Sequence, residues 1–259
     1  MPNSDMSDRE ARANRLRDSF ELQLRFAGHL AQRTGIPLAE AVIRFTNFHR
    51  RFGLGDPDKG VASAWADYVN PLAGLADLED RTSWTLAFFR DAPEEKPAPG
   101  QHLFGCFGCE PPDDRGIVRI HFVNVDGDGL GPLHRSKVLR RQRELATMFA
   151  FVRQHYPSAA RVRGISWLYH IDAYRRLFPP EYTASAAAPA WVRLNGMSSW
   201  GQFIRHDGSI KPALRDAFLR NFHSMDVAAP WRSFPLPALI VSAPVETFST
   251  FYERLVSTS

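Results

Sequence analysis

A chain of 259 residues with 44% hydrophobic and 23% charged residues has material for one large domain or a small one plus a medium one, in the proportions of an ordinary soluble globular protein. No apolar run reaches the roughly eighteen residues of a membrane span. Two cysteines exclude a disulfide framework, and the opening MPNSDMSDREARANR lacks the apolar stretch of a secretory signal, so a cytoplasmic protein with no membrane partner is expected. The net charge of +4 favours anionic partners, although spread over a surface such an excess is also an ordinary solvated face.

Residues 1–7 are expected to be disordered. From Asp8 to Phe52 the pattern is helical, with Leu16, Phe20, Leu24 and Ala27 on one face and Arg9, Arg12, Arg15 and Arg17 among acids on the other. Gly35-Ile-Pro37 breaks the run, and a second helix carries Ala41, Phe45 and Phe48 until Gly53 and Gly55 end it. Further helices are expected near Val61–Leu75 and Arg81–Phe89, whose aromatic residues read as core. Asp91–Gly100 holds three prolines and mixed charge with nothing to bury, so it reads as a linker between a helical subdomain, 1–95, and a second domain, 100–259.

His102–Cys109 reads as a strand, and Gly116–Val125 as another, joined as a hairpin through the breaker-rich Glu110–Gly116. Asp126-Gly-Asp-Gly-Leu-Gly131 follows, then a helix over Ser136–His155 stopped before Pro157, a strand over Arg161–Tyr169 and a short helix over Asp172–Phe178. Strand, glycine turn, helix and strand make a crossover, which places two parallel strands side by side. Ala190–Leu194 and Ser199–Ile204 are expected as short strands about an Asn195-Gly196 hairpin turn. Arg205–Gly208 reads as a turn, Lys211–Phe222 as a helix, and Pro235–Tyr252 as the last strands, interrupted at Pro244. The expected class is α+β: a helical subdomain, then a mixed β-sheet with flanking helices.

Several motifs are weighed against plainer readings. Cys106-Phe-Gly-Cys109 lacks the second pair or the histidines that zinc needs and does not open a helix, so two buried, inert thiols are expected and no metal. Asn124-Val-Asp126-Gly-Asp128 imitates half a calcium loop, but its twelfth residue is Arg135 and a strand precedes it; a turn is the expectation. Arg205-His206-Asp-Gly resembles a phosphatase motif, but it lies late in the chain and reads as a turn. No Gly-x-Ser-x-Gly elbow exists.

The informative cluster is Arg135-Ser136-Lys137-Val-Leu-Arg140-Arg141-Gln-Arg143. A helix start is already positive, so five cations in or beside its first two turns suggest a bound anion such as phosphate. The cluster also follows a strand's carboxyl end, where α/β sheets gather ligands. The alternative is that these cations pair with Asp113, Asp114, Asp126 or Asp128.

The order of these elements resembles the second half of a GNAT-type acyltransferase. Ile120-His121-Phe122 and Ser166-Trp167-Leu168, around a helix starting near Ser136, are similar to a GNAT-like domain of bacterial acyltransferase-type proteins that also carry a helical N-terminal domain. The family signature Arg/Gln-x-x-Gly-x-Gly/Ala stands here as Asp126–Arg135, with the glycines before the cations. The resemblance implies an acyl group moved from an acyl-CoA-type donor to an acceptor that the sequence does not name. The coenzyme pyrophosphate would lie against Leu133, His134, Arg135, Ser136, Lys137, Arg140 and Arg141. Chemistry and position offer His121 or Tyr174 to handle protons. The alternative is a non-catalytic binding or assembly protein on the same scaffold, its basic face engaging an acidic partner. Nucleic acid is a weaker third option, since it requires the basic stripe to extend over Arg9–Arg17 or Arg44–Arg51. An open V between the strands at Gly116–Val125 and Arg161–Tyr169 favours the enzyme, a filled one the binder.

Overall fold

The computed structural model describes residues 3–92 and 101–257. Helices α1 (Asn3–Thr34), α2 (Leu38–Phe45), α3 (Phe48–Arg51), α4 (Ala64–Gly74) and α5 (Leu78–Asp91) come first. Strands β1 (His102–Phe104), β2 (Phe107–Cys109) and β3 (Ile117–Phe122) follow, then α6 (Val138–His155) and β4 (Arg161–Ser166). Short helices α7 (Asp172–Arg175), α8 (Pro180–Ala184) and α9 (Met197–Trp200) precede α10 (Pro212–Asn221), β5 (Leu239–Pro244) and α11 (Val245–Ser257). The fold is α+β with one mixed five-stranded open sheet. It divides into two compact units, residues 1–96 with 191–237, and residues 97–190 with 238–259. Most of the expected linker, residues 93–100, lies outside the described residues, and residues 191–237 group with the helices.

Helix α1 explains that grouping. Its expected stripe of Leu16, Phe20, Leu24 and Ala27 is buried, with Phe20 set edge-on to Phe48 and Phe89 at 5.2 Å. A second stripe, including Phe26 and Leu30, is buried as well. Phe26 packs against Trp200 at 5.6 Å, Phe218 at 5.2 Å and Phe234 at 5.8 Å, all from the 191–237 segment. A helix apolar on two sides must be covered on two sides. The start expected to be disordered is helical from Asn3. Gly35, at φ 73°, closes α1 as expected, its N–H returning to Ala31 O.

Segment 191–204 departs from expectation. Neither predicted strand forms; instead α9 and a 3-10 turn, Gly201–Phe203, bury Trp200 and Phe203. A two-residue Asn-Gly hairpin needs positive φ, and Gly196 sits at φ −99°. Trp200 Nε1 donates to Leu194 O, which fixes this coil. The turn at Arg205–Gly208 forms as expected, between the bridged Ile204 and Ile210.

In the second unit the strands run β1-β2-β3-β4-β5, with β3 and β4 parallel and the other neighbours antiparallel. The parallel pair is joined through α6, as the crossover pattern required. The expected strand over 102–109 is two strands, folded back at Gly105, whose φ of 61° makes the turn. Alternation puts Phe107, Cys109, Val118, Ile120, Val162, Val241 and Ala243 on one buried face. Leu145, Phe149, Tyr174, Tyr182, Phe248 and Tyr252 from the flanking helices complete that core. The other face carries Arg119, His121, Arg161, Arg163 and Ile165. Pro244 ends β5, and the last predicted strand is instead α11, because Val245, Phe248 and Tyr252 recur at helical spacing toward the core.

Candidate functional site

The basic cluster lies where the loop after β3 meets the start of α6. A 3-10 turn, Arg135–Lys137, leads into α6. The loop is built from two side-chain turns: Asn124 Oδ1 accepts from Asp126 N at 3.2 Å, and Asp128 Oδ1 from Leu130 N at 3.2 Å. These turns aim Asp126 inward, where its carboxyl is 1% exposed.

Around that carboxylate three of the five cations are taken up. Lys137, 6% exposed, donates to Asp126 Oδ2 at 2.8 Å, Asp128 Oδ1 at 2.6 Å and Leu130 O at 3.1 Å. Arg141, 1% exposed, reaches Asp126 at 3.0 and 3.1 Å through Nη2, while its Nη1 lies 3.1 Å from Glu144 Oε2. Arg140 lies 3.3 Å from Asp126 and 3.2 Å from Glu144. Glu144 also accepts from the Cys106 amide at 3.1 Å. Lys137, Arg140 and Arg141 thus face Asp126, Asp128 and Glu144, three charges against three. Burial by itself would raise the Asp126 carboxyl, but hydrogen bonds from Lys137 and Arg141 outweigh it and hold the group below its ordinary value. Lys137 is correspondingly raised: its bonds to Asp126 and Asp128 outweigh the desolvation.

Three of the main-chain donors are also engaged. His134 N donates to Gly131 O at 3.0 Å and Lys137 N to His134 O at 2.9 Å. Ser136 N donates to His134 Nδ1, and the Ser136 hydroxyl lies 2.8 Å from the same nitrogen. Leu133 is half-buried and packs against the sheet's core, while Arg135 is exposed. Of the pairing acids, Asp126 and Asp128 were among those weighed from sequence. Glu144 was not, although its place four residues after Arg140 on a helix is a legible signal.

His121 and Tyr174 are not brought together. His121 Nε2 lies 2.7 Å from Glu110 Oε1 on the face away from the core. Tyr174 is 2% exposed on the core face, against Phe122 at 5.4 Å and Tyr169 at 5.3 Å, and burial pushes its hydroxyl well above the ordinary range. Strands β3 and β4 pair only through Ile117↔Arg161, Val118↔Val162 and Arg119↔Arg163; their last three residues are not paired with each other. Tyr174 and Tyr169 meet edge to face on the core side of these strands. Gly164 lies under their neighbours so closely that a Cβ there would meet Tyr169 Oη at 1.9 Å and Tyr182 Oη at 2.6 Å.

Cys106 and Cys109 are buried free thiols. Among the described residues no group of three or more His, Cys, Asp or Glu side chains is placed to hold a metal, and no helix is long and apolar enough to cross a membrane. Compared with protein-family models, curated proteins and solved structures, the chain matches none of them.

Proposed function

We propose that the second unit is a GNAT-like domain that serves as a binding or assembly protein, engaging an acidic partner through a basic face, and does not transfer acyl groups. One observation carries the reading: buried Asp126 takes Lys137, Arg140 and Arg141, so the charge that a coenzyme pyrophosphate would have neutralised is already neutralised within the chain. Two further features agree. The amides of His134, Ser136 and Lys137 are spent inside their own turn. Tyr174, offered as a proton carrier, is packed among rings where an ionised hydroxyl is disfavoured.

A second reading, acyl transfer from an acyl-CoA-type donor, is favoured by the divergence of β3 and β4 after three paired residues. In it Arg135 and the half-exposed Arg140 would meet the pyrophosphate. Release of free thiol from acetyl-CoA and from longer acyl-CoAs, with small amines and a lysine peptide as acceptors, separates the two. Binding without chemistry gives release no faster than the protein-free blank. Release that Tyr174→Phe or His121→Gln suppresses replaces the first reading with the second.

A further inference from the structure

Positive charge outside the ion pairs of the described residues also stands on the sheet, away from the start of α6. The helices packed on this sheet bring their buried side chains to one core, on the face of Val118, Val162 and Val241. On the other face, Arg119 of β3 stands directly across from Arg163 of β4 in the parallel register. Arg161 projects from the same face two residues before Arg163, and its Nε donates to Ser242 Oγ at 3.2 Å. Among the described residues, none of these three arginines forms an ion pair. The acids nearest in sequence are engaged: Glu110 with His121, and Asp113 with the amides of Arg115 and Ile117, although the Arg119 charge also acts on Asp113 from beyond ion-pair distance. Like charges set directly opposite on a sheet disfavour the pairing that holds them there. Arg119 and Arg161 are exposed, Arg163 is half-buried, and Ile165, two residues further along β4, is 42% exposed.

We infer that this sheet face is the docking surface for an acidic polypeptide segment, which rests on the acidic-partner reading above and places its site. The composition selects that occupant. Guanidinium forks suit carboxylates bidentately. Ile165 and its register partner Ile240 interleave with the arginines and offer contact to apolar side chains. No Phe, Tyr or Trp of β3, β4 or β5 points outward here to stack on bases, as a single-stranded nucleic acid would require. Side chains spaced about 4.8 Å across strands and roughly 6.6 Å along one match the alternate side chains of an extended chain.

The test uses the full chain and a fluorescein-labelled twelve-residue peptide of alternating Glu and Val, followed by anisotropy at low and at moderate salt. Saturable binding is expected, weakened at least about tenfold in Arg119→Ala/Arg163→Ala. Arg119→Lys/Arg163→Lys, which keeps the charge and loses the fork, should fall between. Arg135→Ala/Arg140→Ala should bind like the parent. Thermal melts of each variant establish that it is folded. No binding by the parent chain, equal binding by the Arg119/Arg163 variants, or tighter binding of a labelled oligouridine than of the peptide overturns the inference. Loss of binding in the Arg135/Arg140 variant alone also overturns this site while leaving an acidic partner in place. The thiol-release assay judges the broader reading independently.

Discussion

Lys137 Nζ sits 2.8 Å from Asp126 Oδ2, with the two side chains 6% and 1% exposed. This pair decides how the start of α6 is read, because it anchors a network in which Lys137, Arg140 and Arg141 are balanced by Asp126, Asp128 and Glu144. Removing the carboxylate leaves Lys137 and Arg141 buried without their main partner. Asp126→Asn is therefore expected to lower stability by about 3 kcal/mol, the low end for a broken buried pair, because Arg140 and Asp128 leave the network half open to solvent. Urea unfolding at neutral pH measures it, and Asp128→Asn, at a half-exposed carboxyl, should cost much less.

Acid should act through the same pair. The Asp126 carboxyl is held below its ordinary value, so its stabilising contribution is fully present above a pH of about 4 and is lost as pH falls through the depressed native pKa. Urea midpoints at pH 7, 5 and 3 should drop at the acid end for the parent chain. The drop should be smaller for Asp126→Asn, which has no such proton to take up.

Gly164 tests the packing beneath the diverging strands. A methyl group there collides with the Tyr169 and Tyr182 hydroxyls, so Gly164→Ala is expected to destabilise by about 1–3 kcal/mol. Gly164→Ala/Tyr169→Phe should recover part of the loss, since Tyr169 Oη is the nearest atom. Equal stability of parent and Gly164→Ala would place those rings elsewhere.

Arg193 ties the later segment of the first unit to its helical loop. It donates to Asp56 at 3.0 and 3.1 Å and to Asp58 at 2.7 Å, while Asn195 reaches Asp58 at 2.9 Å. Asp56 is also paired with Arg50. Arg193→Ala should cost about 1–2 kcal/mol and raise amide exchange over residues 191–204 more than over α4.

The two thiols should be unreactive in the native chain. Burial raises Cys106, and burial with the nearby Glu110 charge pushes Cys109 up to about 11. Ellman's reagent is expected to label neither quickly at pH 8 and both in guanidinium; fast labelling of native protein would contradict their placement.

The sequence disclosed local periodicity well and partnership poorly. The crossover from β3 through α6 to β4 was legible because a strand alternation, a glycine turn and a 3.6-residue stripe follow one another without ambiguity. The grouping of residues 191–237 with the helices was not, since it depends on Phe26 meeting Trp200, Phe218 and Phe234 across more than 170 positions of chain. Asn195-Gly196 misled because the pair permits a hairpin without requiring one, and burial of Trp200 and Phe203 outweighed it. At the candidate site the cations were visible but their balance was not. The loop turns that aim Asp126 inward fix which acid faces which base, and spacing alone left four aspartates open. The arginines at 119, 161 and 163 were readable as outward positions of alternating strands. Their juxtaposition required knowing that β3 and β4 pair in that register.

Calorimetric titration of the full chain with acetyl-CoA tests the account most directly. With Lys137, Arg140 and Arg141 already answered by Asp126, Asp128 and Glu144, no saturable heat is expected up to millimolar coenzyme. Saturable heat in the parent chain that vanishes in Arg135→Ala/Arg140→Ala would contradict it, and would restore the start of α6 as a coenzyme site.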